Sequence, residues 1–384
     1  MELADIFRDY APAYINEHPL PKRIMKVINA IVQCRTAALG GHSERCAMCG
    51  YERTFYNSCR NRHCPKCGSL AKERWLMSRK KDVLPITYFH VVFTIPDLLN
   101  HLTLLNQRVL YNLLFRSGTE TLLTLGRDKR HLGAQIGILA TLHTWGQNLT
   151  DHPHLHCIVT GGGLSENNNK WKYPKKLQNG KAFFVHVNVL SDLFKKKFIA
   201  YLHEAYENGK LTRKDNTSYF KTKRSFIRFK NDLYKKSWVT YCKEPFSGAD
   251  KVLEYLGRYV YRVAITNRRL IRIEDKKVIF TWRDYRDGKE KIMSLEVFEF
   301  IRRFLLHILP KGFSKIRYYG ILASRNLSTK LKQCKELLKV QLNTATEKLN
   351  WKALFFQLTG IDLLQCPVCG EGRMIRVRLS HSPP

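Results

Sequence analysis

Hydrophobic positions along the chain follow two rhythms, one of period near 3.6 and one of period two, and these mark out its helices and strands. Tyr14, Ile15, Leu20, Ile24, Val27, Ile28 and Ile31 recur mostly at helical spacings, with Pro19 to Pro21 as a break, so residues 1 to about 35 read as helical. Leu70 to Lys81 predicts a basic helix, and Leu98 to Leu125 a leucine-rich one. Tyr88 to Ile95 is β-branched and aromatic and stops at Pro96, the signature of a strand. Ala134 to Trp145 and His154 to Thr160 read as two strands of a hairpin-like pair, closed by Gly161 to Gly163. Ser165 to Lys236 is polar and rich in Asn and Lys, with a strand expected at Phe183 to Leu190 and a helix at Leu193 to Ala205. Val252 to Ala264 reads as a helix, Leu270 to Ile273 and Val278 to Trp282 as a hairpin around Asp275, and Val297 to Leu309 as an amphipathic helix stopped by Pro310. Strands and helices mix without strict βαβ alternation, so the expected class is α+β with a central antiparallel sheet and flanking helices.

Composition changes this picture in one respect. The 384 residues, 44% hydrophobic and 11% aromatic, belong to a folded chain rather than a disordered one. Lys+Arg 66 against Asp+Glu 32 gives a net charge of +34, which suits a polyanion, because neutralising phosphates releases condensed counterions. The acidic start followed by no apolar segment carries no secretory signal, and no apolar run reaches the roughly 18 residues of a membrane span. The cytoplasm, in association with the nucleoid, is the expected location.

Eleven cysteines include three Cys-x-x-Cys pairs, a pattern that points to metal in a reducing compartment. Cys46, Cys49, Cys64 and Cys67 form two knuckles, each followed by glycine, and predict one structural Zn²⁺ site. Cys59, His63 and His42 compete as ligands or form a second site, with an unligated buried thiol the simpler reading of Cys59. Cys366 and Cys369 are either half of a partnered zinc site or two reduced thiols. Cys34, Cys157, Cys242 and Cys334 read as core residues.

Two further motifs carry chemistry. His154 and His156 share one face of a strand, while Leu155 and Cys157 take the other. Such a pair can hold a divalent ion, Mg²⁺ or Mn²⁺ once oxygen donors complete the shell. Gln147, His143, Asp151 and His152 are candidates for the third ligand, with Gln147 favoured. Tyr255 and Tyr259 share a helical face, and Arg258 and Arg262 each follow one of them by three, where a phosphate could be gripped. Together these predict metal-assisted tyrosine attack on a DNA phosphate, with the bond energy kept in a 5′-phosphotyrosine. No nucleotide-binding loop is present to supply energy otherwise.

At these motifs the chain resembles the rolling-circle transposases of the insertion sequence 91 family, members of the His-hydrophobic-His single-strand endonuclease superfamily. The strings that carry the resemblance run from Cys34 to His42, Tyr56 to Cys67, His90 to Pro96, His143 to Gln147, His152 to His156, and Tyr255 to Asn267. The resemblance implies an N-terminal zinc-binding domain, an antiparallel catalytic domain, and DNA transposition through single-stranded intermediates. It makes His154 and His156 metal ligands and Tyr255 and Tyr259 paired nucleophiles. The expected domains are residues 1–85 (zinc-binding, DNA recognition), 86–325 (catalytic) and 326–384 (a helical tail with a cysteine knuckle). A replication initiator or relaxase, or a non-catalytic zinc DNA-binding protein, are the alternatives.

Overall fold

The computed structural model describes residues 1–176, 182–212, 222–246, 248–284, 287–340 and 350–377, with the side chains of 176, 182, 183, 244–246, 249, 250, 256 and 258 outside that description. The chain begins with α1 (Leu3–Glu17), α2 (Lys22–Val32), β1 (Gly41–Cys46), β2 (Glu52–Tyr56), α3 (Ser69–Lys80) and β3 (Tyr88–Thr94). There follow α4 (Gln107–Arg127), β4 (Gly137–Trp145), β5 (Asp151–Thr160), α5 (Val187–Glu207), α6 (Lys223–Lys235), β6 (Thr240–Phe246) and α7 (Ala249–Val260). The last third holds β7 (Leu270–Glu274), β8 (Lys277–Arg283), β9 (Glu290–Glu296), α8 (Val297–Leu306), β10 (Ile316–Gly320), α9 (Trp351–Thr359) and β11 (Met374–Val377).

These elements form two units. One comprises residues 1–75, 261–308 and 341–384, the other residues 76–260 and 309–340. This differs from three consecutive domains, and the reason is strand pairing and helix packing between distant segments. In the first unit β11 pairs antiparallel with β1, setting Met374 opposite Cys46, and β2 flanks β1 on the other side. In the same unit α8 packs on α1, with the rings of Phe7 and Phe304 5.4 Å apart and edge to face. The hairpin β7–β8 turns at Asp275 and Lys276, both with positive φ, the geometry that a two-residue connection requires.

The second unit is built on a five-stranded sheet of order β6-β3-β5-β4-β10, every neighbour antiparallel. The α+β expectation holds. One face of this sheet is apolar: Phe89, Val91, Phe93, Leu155, Cys157, Val159, Ile138, Ala140 and Leu142 join a core with residues of α4 and α5. Each such Leu or Phe contributes roughly 1.5–3 kcal/mol by leaving water. Gly118 lets α4 lie close, since a Cβ there would stand 3.0 Å from Phe93 and 3.1 Å from Leu155. Period-two alternation therefore turns His90, His143, His154 and His156 toward the opposite face.

Three local expectations change. The segment from Val187 to Leu190, expected in a strand, belongs to α5, because Leu190, Phe194, Phe198 and Leu202 recur every four residues and are all buried. The helix expected over Leu98 to Leu125 is interrupted at Asn106, whose carboxamide oxygen accepts from the Thr212 N–H at 2.6 Å. The helix expected to reach Ala264 ends at Val260. Among the described residues no helix is long and apolar enough to cross a membrane.

Candidate active site and cysteine centres

The face of the sheet left open by the core helices gathers imidazoles. His143 on β4 stands directly opposite His154 on β5, and His156 lies two residues further along the same strand. One ring nitrogen from each of the three falls within 4.8 Å of the others, close enough to share one ion. The outward-facing bonds of the rings are consistent with that role. His154 Nδ1 lies 2.6 Å from the His152 carbonyl, and His143 Nε2 lies 2.8 Å from the Tyr259 carbonyl. A carbonyl only accepts, so in each ring that nitrogen carries the proton and the other nitrogen keeps its lone pair, the arrangement by which a second bond orients a metal-binding histidine. His156 Nδ1 is engaged with His90 Nε2 at 2.9 Å.

The helix α7 brings both predicted tyrosines to these histidines. Their rings stack on each other with centroids 4.2 Å apart, and the Tyr259 ring lies 4.8 Å from that of His156. The Tyr255 hydroxyl is 2.6 Å from His90 Nε2 and 3.2 Å from His156 Nδ1. Gly257, between the tyrosines, faces Leu76, whose Cδ1 would stand 3.0 Å from an added Cβ. His154, His156, Tyr255 and Tyr259 are thus assembled in one place.

Other expectations fare differently. Gln147, favoured as third ligand, lies in the turn past the end of β4, which stops at Trp145, so its place is set by that turn rather than by strand alternation. His143 takes the position beside the pair. The Arg258 side chain lies outside the described residues, and Arg262 follows the end of α7, where helical spacing no longer relates it to Tyr259. His90 is a site residue that motif reading overlooked. Burial, with Lys243 and His154 nearby, pushes its imidazole down to about 3, so it stays neutral. The available signal was His90 inside an otherwise apolar strand.

Within the first unit the cysteines assort differently from the expected single site. Cys34, Cys59, Cys64 and Cys67 form one group, and Cys46, Cys49, Cys366 and Cys369 form a second. The two N-terminal knuckles do not face each other. The antiparallel pairing of β11 with β1 instead brings the C-terminal knuckle to Cys46 and Cys49. Cys34, read as core, and Cys59, read as an unligated thiol, both serve the first group. Their sulfurs stand 3.8 Å and 3.4 Å from that of Cys67. Four thiolates about 2.3 Å from a tetrahedral Zn²⁺ lie about 3.8 Å apart, so the donor set fits zinc. His42 and His63 belong to neither group.

Comparison with known proteins agrees with this layout. Residues 6–95 match a family described as "Transposase zinc-binding domain", and residues 137–330 match one described as "Putative transposase". The chain is 47% identical over 383 residues to "Putative transposase y4qJ" of Sinorhizobium fredii, covering 98% of this chain and 95% of that one. It is 27% identical over 358 residues to "Transposase for insertion sequence element IS801" of Pseudomonas savastanoi pv. phaseolicola, covering 91% and 82%. No solved structure matches. With a relative of such identity aligned nearly end to end, and family matches over both the cysteine-rich start and the imidazole-bearing sheet, the chain belongs to the insertion sequence 91 family of transposases.

Proposed function

We propose that this transposase nicks and rejoins single-stranded DNA at element ends through its paired tyrosines, in rolling-circle transposition. The observation that carries the reading is the stacked pair Tyr255 and Tyr259 lying against three imidazoles able to hold one divalent ion. A bound Mn²⁺ or Mg²⁺ would polarise a non-bridging oxygen of the scissile phosphate, and three imidazoles favour Mn²⁺ of the two. His90 orients the Tyr255 hydroxyl through the 2.6 Å bond. The phenolic oxygen forms a bond to phosphorus and loses its proton. The phosphorus–O3′ bond breaks, and the departing oxygen takes up a proton to leave a 3′-OH and a 5′-phosphotyrosine. Reversal by an incoming 3′-OH reseals a strand without an outside energy source. A second tyrosine lets one site hold one end while attacking another.

The approach of DNA is supported by the edge strand β6. Lys243 and Tyr241 stand opposite His90 and Val92, hence on the imidazole face, and Tyr241 is 57% exposed. Arg258 and Arg262 are the further phosphate-binding candidates. The zinc-binding region and the basic helix α3 are assigned the recognition of element ends.

The test is covalent capture. The protein is incubated with single-stranded DNA carrying element ends and Mn²⁺ or Mg²⁺, then denatured and resolved by electrophoresis. A metal-dependent adduct is expected, lost in Tyr255→Phe with Tyr259→Phe combined and in His154→Ala. An adduct that survives the double substitution, or none on any authentic end with the fold intact, overturns the reading.

A further inference from the structure

Four cysteines far apart in sequence are drawn together: Cys46 at the end of β1 and Cys49 just past it, and Cys366 and Cys369 before β11. The Sγ of Cys46 is 3.7 Å from that of Cys369, and the Sγ of Cys49 is 3.7 Å from that of Cys366. These separations are far too long for disulfides, near 2.0 Å, and match the edge of a tetrahedral tetrathiolate site, about 3.8 Å. All four are reduced.

The two knuckles have the same local build. The Gly50 N–H donates to the Cys46 carbonyl at 3.3 Å, and the Gly370 N–H donates to the Cys366 carbonyl at 3.0 Å. Both glycines take positive φ, 74° and 70°. Each knuckle turns a backbone N–H toward a sulfur: Met48 N to Cys46 Sγ at 3.4 Å, and Gly372 N to Cys369 Sγ at 3.3 Å. Donors so placed stabilise thiolates rather than thiols. The knuckles are stitched together by the Ala47 N–H donating to the Arg373 carbonyl at 3.0 Å. At Gly372 the backbone comes so near that a Cβ would stand 2.3 Å from Cys46 Sγ. Cys46 and Cys366 are buried with Met374 in a small core of their own.

We propose that Cys46, Cys49, Cys366 and Cys369 bind a second structural Zn²⁺, distinct from the ion of Cys34, Cys59, Cys64 and Cys67. The match to the zinc-binding family ends at residue 95, so half of this site lies more than 250 residues beyond it. The ligands are separated by 317 and 323 positions, and the ion acts as a clasp that joins β11 to β1. The zinc-binding region is then incomplete until Cys366 and Cys369 have been made. A chain cut short before Cys366 keeps one ion and leaves Cys46 and Cys49 as exposed thiols. None of this depends on the tyrosine chemistry.

Metal analysis of the full-length protein tests it. In a His154→Ala background, which disables the imidazole site, two Zn²⁺ per chain are expected, one with Cys366→Ser/Cys369→Ser added, and one with Cys59→Ser/Cys64→Ser added. A single ion in that background, or two retained with Cys366→Ser/Cys369→Ser, overturns the proposal. Because a variant can misfold, alkylation of the native wild type, read by mass spectrometry, gives a second measurement. Cys49 is exposed and Cys369 half-buried, yet both should label at least tenfold more slowly with zinc bound than after chelation, and in step with Cys46 and Cys366. Labelling of Cys49 and Cys369 at the same rate before and after chelation overturns it.

Discussion

Asp151 opens the strand that carries His154 and His156, and its carboxyl is poorly placed for a charge. Neither carboxylate oxygen has a hydrogen-bond partner among the described residues, and burial pushes the group up from 3.8 to about 7. The full rise corresponds to a ceiling of roughly 4 kcal/mol of lost stability once the group is ionised, and the residual solvent exposure of Asp151 reduces this to roughly 2 kcal/mol. A carboxyl raised in the folded state leaves stability intact below its unfolded pKa and withdraws it as pH climbs through about 7. Asp151→Asn removes the charge and nearly keeps the shape. Its advantage over wild type should therefore grow by roughly 1–3 kcal/mol between about pH 5 and about pH 8.5. A two-unit chain need not unfold in a single step, so the readout is native-state hydrogen exchange of the β4–β5 amides, with zinc retained and no Mn²⁺ or Mg²⁺ added. An advantage that stays constant across this pH range, or one that shrinks as pH rises, would refute the reasoning.

Further outcomes follow from the same geometry. His143→Ala should weaken Mn²⁺ binding at least roughly tenfold by calorimetry, and more than Gln147→Ala does; the reverse order would return Gln147 to the first rank of ligands. Gly320 holds φ of 62° with an added Cβ set to meet the Ile136 carbonyl oxygen, so Gly320→Ala should cost roughly 2–5 kcal/mol, read by native-state hydrogen exchange of the β4–β10 amides. Gly312→Ala, at φ of 69° but facing open space, should cost only about 1 kcal/mol. Tyr241→Ala should weaken single-stranded DNA binding by roughly 1–3 kcal/mol of stacking per base while leaving Mn²⁺ affinity unchanged.

The imidazole face was legible where one strand or one helix sufficed. Alternation within β5 put His154 and His156 together, and spacing of four put Tyr255 beside Tyr259. Selection of the third imidazole needed the register between strands, which depends on where the turn falls. Gln147 and His143 have equal claims if β4 runs on. The strand instead ends at Trp145, with an irregular step between His143 and Trp145, and only His143 keeps its place opposite His154. The cysteines illustrate a related limit. Knuckles close in sequence looked like partners, whereas ligand sets follow strand neighbours, and β1 has its neighbour near the end of the chain. A trailing glycine follows all three knuckles, at Gly50, Gly68 and Gly370, so no local sign sorted them into pairs.

The bond from His143 to the carbonyl of Tyr259 joins the imidazole cluster to α7 through the peptide rather than through the phenol. That bond does not depend on the side chain at 259, whereas the Tyr259 ring also stacks on His143 with centroids 5.9 Å apart. Position 255 differs, because its hydroxyl is the group in contact with His90 and His156. The two tyrosines, alike in spacing, are thus tied to the histidines by different parts: 259 through its peptide carbonyl and the face of its ring, 255 through its hydroxyl.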